Sequence, residues 1–366
     1  MLPVCGITSK DSFLKFKWTA KRTLYSILFL VLSALNTIFQ MVKMIDVGQI
    51  EFGESVTLLF FAVTAITVAI FIEVATKWPH LMQKWTEVDK ALSQSYGFPS
   101  GLHHELKLIA FVIVAAAIAE HSLFLAFTFK YSKSGETLSE TIQLYFEHRF
   151  DQVFNIFPFC MPLGIITQIV NTFSTVSWNF MDLFIMLVSL ALSARFKQVV
   201  VHISQLTKNN ENDEEVWRQV REDYTRLAVL CAKVDDTISN IMLLSFSNNI
   251  FVVIVQLYFS LQRPPISGAL DKIYYVYSFL FLILRTIAVA LYAATIHTES
   301  KKPQHYLNTL SSDIYSVEIE RFLYQVKYNT IALTGHKLFK VNRSLILRVA
   351  GAIVSYELVL IQFNVA

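Results

Sequence analysis

The run KLIAFVIVAAAIAEHSLFLAFTF at 107–129 is 23 residues long and almost entirely apolar. About 20 such residues cross a bilayer as an α-helix, so we predict a transmembrane helix here. Comparable runs predict further spans at 23–45, 55–76, 238–261, 273–296 and 346–364. The stretch 150–194 is apolar over 45 residues but polar in its middle, which leaves one or two crossings open.

The composition also indicates a membrane protein. Hydrophobic residues make up 54% of the 366 and charged residues only 16%, against about 25% in soluble domains. The small numbers of Gly (10) and Pro (8) favour long helices over a barrel with many turns, so the predicted fold class is all-α. A net charge of +3 gives no reason to expect nucleic acid. Cys5, Cys160 and Cys231 are too scattered for a disulfide framework or a zinc site, and neither a metal nor a cofactor is expected.

The basic residues set the predicted direction of the spans, because cytoplasmic loops carry an excess of Lys and Arg. With a cytoplasmic N-terminus and one crossing in 150–194, 24 of the 31 basic residues fall inside and 6 outside. Two crossings would place the seven basic residues of 195–233 outside. We therefore predict seven transmembrane helices with an extracellular C-terminus, and 130–149 as the longest external loop. A helical apolar stripe in 211–236, and a second in 312–340 that includes Tyr315, Ile319 and Phe322, predict cytoplasmic segments that pack against each other. Subunit assembly through the same surface is the further hypothesis.

The last predicted span contains a recognisable pattern: Ser355-Tyr356, five residues from Glu357 to Ile361, and then Gln362-Phe363. It resembles the Thr-Tyr and Gln-Phe signature in the last helix of insect gustatory receptors, with Ser in place of the usual Thr. Glu357 directly after the tyrosine resembles the sugar-receptor branch, as do SWNFMDLFIMLVSLALSARF at 177–196 and ALTGHKLF at 332–339. The resemblance covers nearly the whole chain.

This resemblance implies the fold of the related insect odorant-receptor channels, in which seven-helix subunits form a tetramer around a central pore. It implies a sugar-gated, non-selective cation channel in the plasma membrane of gustatory neurons, and no enzyme. The tetramer would be homomeric or include related subunits, conduct monovalent and divalent cations, and contact membrane lipid. The expected divisions are a cytoplasmic segment with a truncated leader, a ligand-binding bundle, a cytoplasmic anchor and a pore helix, at 1–22, 23–297, 298–345 and 346–366.

The last span is expected to line the pore. Four copies of Gln362 near its outer end would form a ring of amides that coordinates hydrated cations without selecting among them. Leu358, Ile361 or Phe363 would close the pore by excluding water. The alternatives are that Gln362 hydrogen-bonds a neighbouring helix and that Phe363 faces lipid.

A ligand site is expected in the outer half of the second to sixth spans, where ionisable groups are costly in lipid and normally face the protein interior. Sugar hydroxyls pair with carboxylate, amide and guanidinium groups, and sugar C–H faces stack on aromatic rings. The candidate ligand-binding residues are Glu120, His121, Asp151, Asn155, Asn248, Asn249, Gln256, Tyr274, Tyr277 and Arg285. Alternatively, Glu120 and Arg285 form a structural ion pair, His121 is a hydrogen-bonded core histidine, and Tyr274 anchors the membrane interface.

Two other functions compete with a channel: a seven-helix signalling receptor and a transporter for small polar solutes. A rhodopsin-like receptor has an external N-terminus, opposite to the predicted direction, and its DRY and NPxxY motifs are absent from the sequence. The sequence also contains no inverted repeat and no matching pair of Gly- or Pro-broken spans, which are typical of transporters.

The predicted topology is testable with an epitope placed after Ala366. The distribution of basic residues predicts a cytoplasmic N-terminus and an odd number of spans, which places the C-terminus outside the cell. An antibody should therefore bind this epitope on intact cells. An epitope placed before Met1 should bind antibody only after permeabilisation. Binding of both epitopes on the same side of the membrane would contradict seven spans.

Overall fold

Long helices dominate the computed structural model, which describes residues 4–5, 14–48, 52–131, 137–262, 268–351 and 354–355. The helices are α1 (Lys21–Val47), α2 (Phe52–Tyr96), α3 (Leu102–Tyr131), α4 (Leu138–Arg149), α5 (Asp151–Phe154), α6 (Met161–Lys208), α7 (Glu214–Gln262), α8 (Ala269–Lys301), α9 (Pro303–Leu307) and α10 (Val317–Tyr328). Within the described residues, six helices are long and apolar enough to cross a membrane: α1, α2, α3, α6, α7 and α8.

Two small antiparallel hairpins accompany the helices. β1 (Val4–Cys5) pairs with β2 (Lys15–Phe16), and β3 (Thr334–Gly335) pairs with β4 (Phe339–Lys340). A helical segment at 343–351 follows β4 and begins the last predicted span. Most of that span, with Leu358, Ile361, Gln362 and Phe363, lies outside the described residues.

The ambiguous stretch 150–194 contains one long helix and not two. α6 runs without interruption through 48 residues. At 1.5 Å per residue it is about 72 Å long, more than twice the roughly 30 Å hydrocarbon core of a bilayer. α6 therefore extends well beyond one membrane face, as the single-crossing hypothesis predicted. The number of seven spans and their direction remain predictions.

The chain before α6 differs from the loop predicted at 130–149, because it forms helix α4. A capping box starts this helix: Thr137 Oγ1 accepts a hydrogen bond from the Glu140 backbone N–H at 3.2 Å, and the Glu140 carboxylate accepts one from the Thr137 N–H at 3.2 Å. This motif satisfies two backbone donors that the helix itself leaves unpaired. α4 and α5 fold back over one end of the bundle, where Asp151 pairs with Lys43 of α1.

At the opposite end of the bundle, the two predicted stripes pack against each other and continue the main hydrophobic core. The rings of Tyr224 on α7 and Phe322 on α10 meet edge to face at 5.3 Å. Arg221 donates a hydrogen bond to Glu318 at 2.8 Å, and this bond holds the pKa of the Glu318 carboxyl below its usual value. The second stripe was predicted to include Tyr315, which instead lies before α10 and is exposed. Ser316 ends the irregular chain there, because its side chain caps α10.

The β3–β4 hairpin is fixed to α7 by a buried carboxylate. Asp235 accepts hydrogen bonds from the Thr334 backbone N–H at 2.6 Å and from the Thr334 hydroxyl at 2.8 Å. Nearby, the ring of Phe246 on α7 meets Phe339 of β4 at 5.6 Å. The hairpin therefore connects α7 to the chain that enters the last predicted span.

A buried polar cluster joins α6, α7 and α8. Asp182 is 0% exposed and Arg285 is 4% exposed. The Arg285 Nε lies 2.9 Å from Asp182 Oδ2, close enough for an ion pair although the N–H is not aligned for a hydrogen bond. Ser245 donates to Asp182 at 2.6 Å, and Asn249 donates to both carboxylate oxygens at 3.2 and 3.1 Å. Arg285 also donates to Asn179 and to Asn249.

Replacing Asp182 should destabilise the fold strongly. Asp182→Asn leaves the Arg285 guanidinium buried without its counter-charge, which costs about 3–5 kcal/mol. We expect a large fall in the thermal unfolding midpoint of the purified protein. Ser245→Ala, which removes one hydrogen bond to the same carboxylate but keeps the ion pair, should cost less, about 1.5–3 kcal/mol.

The double variant Asp182→Leu with Arg285→Met is the control, because it removes both charges and keeps apolar volume. It should recover much of the midpoint that Asp182→Asn loses. If the double variant unfolds as readily as Asp182→Asn, the loss does not come from an unpaired charge.

Candidate functional site

A cavity of about 310 Å³ lies between α2, α3, α6, α7 and α8, and the α4–α5 segment covers it. Its wall is mainly apolar and aromatic. The aromatic lining residues are Phe60, Phe61, Phe124, Phe150, Trp178, Tyr274 and Phe281. The polar lining residues are Thr57, Glu120, His121, Arg149, Gln152, Asn171, Thr175, Asn179, Gln256, Ser278 and Arg285. Apolar walls with a few fixed polar groups are typical of small-molecule sites.

One side of the cavity carries a hydrogen-bonded chain across three helices. Ser278 on α8 donates its hydroxyl to Glu120 Oε1 on α3 at 3.0 Å. Gln256 on α7 donates its side-chain N–H to the same Ser278 hydroxyl at 3.2 Å. The second carboxylate oxygen of Glu120 has no hydrogen-bond partner among the described residues. Glu120 therefore offers the cavity a charged acceptor in a fixed position.

The cover of the cavity supplies a cation. Arg149 is the last residue of α4, and its guanidinium lies 4.8 Å from the centre of the Phe124 ring and 5.8 Å from that of Phe150. Cations are attracted to aromatic faces in this arrangement. Its buried Nε has no hydrogen-bond partner among the described residues.

Unpartnered polar atoms recur around the wall. Besides Arg149 Nε, the side-chain oxygens of Gln152 and Gln256 are buried without a hydrogen-bond partner in the described part of the chain. Each such atom costs about 1–3 kcal/mol if it remains unpaired. The residues that line the cavity therefore carry both donors and acceptors. A molecule with several hydroxyl groups can satisfy both kinds, because each hydroxyl donates one hydrogen bond and accepts others.

At the base of the cavity the wall meets the buried cluster. Arg285 lies 5.0 Å from the centre of the Trp178 ring and 5.3 Å from that of Phe281. The Trp178 indole N–H points to Asn249 Oδ1 at 3.4 Å. Arg285 thus belongs both to the cavity wall and to the buried cluster that joins α6, α7 and α8.

The structure brings half of the candidate ligand-binding residues to this cavity: Glu120, His121, Gln256, Tyr274 and Arg285. Asn248 lines a separate space of about 100 Å³, and Asn249 donates its side-chain amide to Asp182. Tyr277 donates its hydroxyl to the Ala116 carbonyl at 3.1 Å. Asp151 pairs with Lys43 on α1, and Asn155 ends α5 in an exposed position.

The alternative that Glu120 and Arg285 form a structural ion pair with each other is wrong. Among the described residues, Arg285 pairs with Asp182 and Glu120 makes no ion pair. His121 does have a neighbour of its own, since its Nε2 lies 3.3 Å from the Thr172 hydroxyl. Tyr274 stacks on Phe127, with ring centres 4.8 Å apart, while also lining the cavity.

Sequence reasoning missed Arg149 and Gln152, because 130–149 was predicted to be a simple external loop. A signal was present: the sequence Thr137-Leu138-Ser139-Glu140 fits the capping box that starts α4. That motif predicts a helix, but it does not predict that the helix folds back over the bundle.

Comparison with known proteins adds independent information. The model of the family described as trehalose receptor matches residues 1–366. Gustatory receptor for sugar taste 64f of Drosophila melanogaster is 34% identical over 100% of this chain and 77% of its own length. Gustatory receptor 5a for trehalose, from the same organism, is 30% identical over 100% of this chain and 82% of its own.

The fold has counterparts among solved structures. The insect olfactory receptor OR5 from Machilis hrabei matches with a TM-score of 0.68 at 17% identity, covering 94% of this chain and 90% of that one. Its complex with eugenol matches with a TM-score of 0.66 at 16% identity and the same coverage. At such low identity the likeness shows the fold alone. The chain belongs to the trehalose receptor family of insect gustatory receptors, and it is a multi-pass membrane taste receptor with the fold of the insect olfactory receptor channels.

Proposed function

We propose that this chain is a subunit of a sugar-gated, non-selective cation channel in the plasma membrane of gustatory neurons. The observation that carries the proposal is the cavity of about 310 Å³, whose wall combines carboxylate, amide and guanidinium side chains with aromatic rings. The names of the relatives, which refer to sugar taste and to trehalose, support a saccharide as the occupant.

The proposed sugar contacts follow from the chemistry of the wall. Glu120 and the side-chain oxygens of Gln152 and Gln256 accept hydrogen bonds from sugar hydroxyls. Arg149 donates to hydroxyl oxygens from the cover of the cavity, and Trp178 offers a ring to the sugar C–H face. The volume lies at the lower end of the range of about 300–1,000 Å³ for small-molecule sites, which suits a mono- or disaccharide.

The ion pathway is proposed for the last span. Gln362 would form the amide ring at the outer mouth of a tetramer, either homomeric or with related receptor subunits. Leu358, Ile361 and Phe363 would close it by dewetting. Likeness to the insect olfactory receptor fold supports this arrangement. Monovalent and divalent cations would pass the ring hydrated, and the other helices would face membrane lipid.

A continuous set of contacts supports a route from the cavity to that span. Arg285 on the cavity wall donates to Asn249 on α7 at 3.3 Å. One turn earlier on α7, Phe246 contacts Phe339 of β4. Three residues beyond β4 the helical segment 343–351 begins. We propose that sugar draws α7 and α8 closer around the cavity, and that β4 passes this shift to the last span. Sugar can drive opening only by binding the open state more tightly.

Removing the carboxylate of Glu120 should weaken the response to sugar. Glu120→Gln keeps the shape but removes the charge, and hydrogen bonds to charged groups contribute about 1.5–3 kcal/mol. We expect the half-maximal sugar concentration for whole-cell current to rise about tenfold or more. Arg149→Gln should act in the same direction, because it removes the cation of the cover.

Matched controls are available on the same helices. Glu105→Gln changes an exposed carboxylate in the first turn of α3, and His148→Gln changes an exposed neighbour of Arg149. Both should leave the sugar response unchanged. If Glu120→Gln reaches the cell surface and responds to sugar like the original chain, Glu120 is not part of the site.

The pore proposal is tested with Gln362→Ala. Loss of the amide ring should change relative permeability and pore block, while the half-maximal sugar concentration stays within about twofold, because the cavity is untouched. Asn364→Ala is the control, since in the predicted helix a side chain two residues beyond Gln362 would point to another face. Permeation and block that are identical in Gln362→Ala and the original chain would remove Gln362 from the ion pathway.

A further inference from the structure

A second, larger cavity of about 650 Å³ lies between α2, α3 and α6. It shares no lining residue with the proposed sugar cavity. Part of its lining is apolar and consists of Trp78 and Trp85 from α2, Ala110 from α3, and Phe184 and Leu187 from α6. We call this space the α2–α3 groove. Of the α3 residues at the groove, Ala110 packs partly buried against the bundle core, whereas Lys107 is exposed.

The depth of the groove is set by the ends of two predicted spans. The apolar part of α2 ends at 76, and that of α3 begins at 107. The groove is lined by α2 residues after that end and by α3 residues from 102 to 110. It therefore begins at the boundary between hydrocarbon and headgroups and extends beyond it. Trp78, two residues past the end of the apolar part of α2, lies at the boundary, where tryptophans are enriched.

The charge at the groove is positive. Lys107 lines it and is exposed, and its ammonium has neither an ion-pair nor a hydrogen-bond partner among the described residues. The other charged lining residues neutralise each other, because Arg195 Nε binds Asp89 Oδ1 at 2.7 Å. Arg195 also donates to the Gly97 carbonyl at 3.0 Å, so its guanidinium is already occupied. Among the charged lining residues that the structure describes, Lys107 is therefore the group available to bind an anion.

We propose that the α2–α3 groove binds an anionic phospholipid of the cytoplasmic leaflet, with an acyl chain between Trp78, Phe184 and Leu187 and the phosphate at Lys107. A soluble phosphate would satisfy Lys107 but leave the apolar part of the groove uncovered. A neutral lipid would fill that part but supply no net charge to Lys107. The cytoplasmic leaflet is rich in anionic lipids and attracts basic side chains. The choice of leaflet depends on the predicted direction of the spans, and the lipid site is independent of sugar gating.

Native mass spectrometry can test the site directly. The full-length protein is reconstituted in nanodiscs of equal parts phosphatidylcholine and phosphatidylserine, released into mild detergent, and the retained lipids per subunit are counted. We expect phosphatidylserine to be retained in preference to phosphatidylcholine by about fivefold, equivalent to ~1 kcal/mol from one lysine at the membrane surface. Lys107→Gln should reduce this preference to about one, because the charge is lost and the apolar contacts stay.

Two matched controls separate the groove from general surface effects. Lys90→Gln removes an exposed lysine of α2 that does not line the groove, and the lipid preference should persist. Ala191→Phe fills the groove and should release both lipids, whereas Ala115→Phe on the exposed face of α3 should release neither.

Three outcomes would overturn the proposal. The first is an equal loss of preference in Lys107→Gln and Lys90→Gln, which would indicate surface potential alone. The second is full lipid retention in Ala191→Phe, which would place the lipid elsewhere. The third is displacement of the retained lipid by glycerol phosphate alone, which would indicate a phosphate site without an acyl chain.

Discussion

The buried ion pair between Asp182 and Arg285 is the constraint on which the membrane bundle depends. A charge far from water is stable only when it is paired and hydrogen-bonded, and here both partners have further ligands on α6 and α7. The pair fixes the rotation of α6, α7 and α8 about their axes, because only one face of each helix can supply these groups. That rotation in turn decides which side chains reach the cavity.

Arg285 connects this ion pair to the cavity. It belongs to the cavity wall and to the buried cluster, so in the proposed sugar site one guanidinium serves both binding and helix packing. The polar groups further from the cluster, Glu120 and Gln256, are linked to each other through Ser278. In the proposed site the outer polar groups contact the sugar, and Arg285 connects it to the neighbouring helices.

The lengths of the helices relative to the thickness of a bilayer explain further features of the architecture. α6 and α7 continue past the membrane and meet α10 in a core that contains Tyr224 and Phe322. α3 is much shorter and begins near the membrane boundary, so it leaves a space against α2 and α6. The α2–α3 groove is a direct consequence of this difference in helix length.

The sequence by itself determined the helical membrane class, the places of six long helices and the family, because apolar runs and the Ser355–Phe363 pattern are local signals. It also placed Glu120, Gln256 and Arg285 among the candidates, since ionisable and amide groups in apolar spans must face inward. Only the tertiary structure decided that Arg285 pairs with Asp182 and that α4 brings Arg149 over the cavity. Arg285 and Asp182 are about a hundred positions apart in the sequence. The place of Arg149 depends on how the surface helix α4 folds back over the bundle. Periodicity along one helix carries no information about which face of another helix it meets.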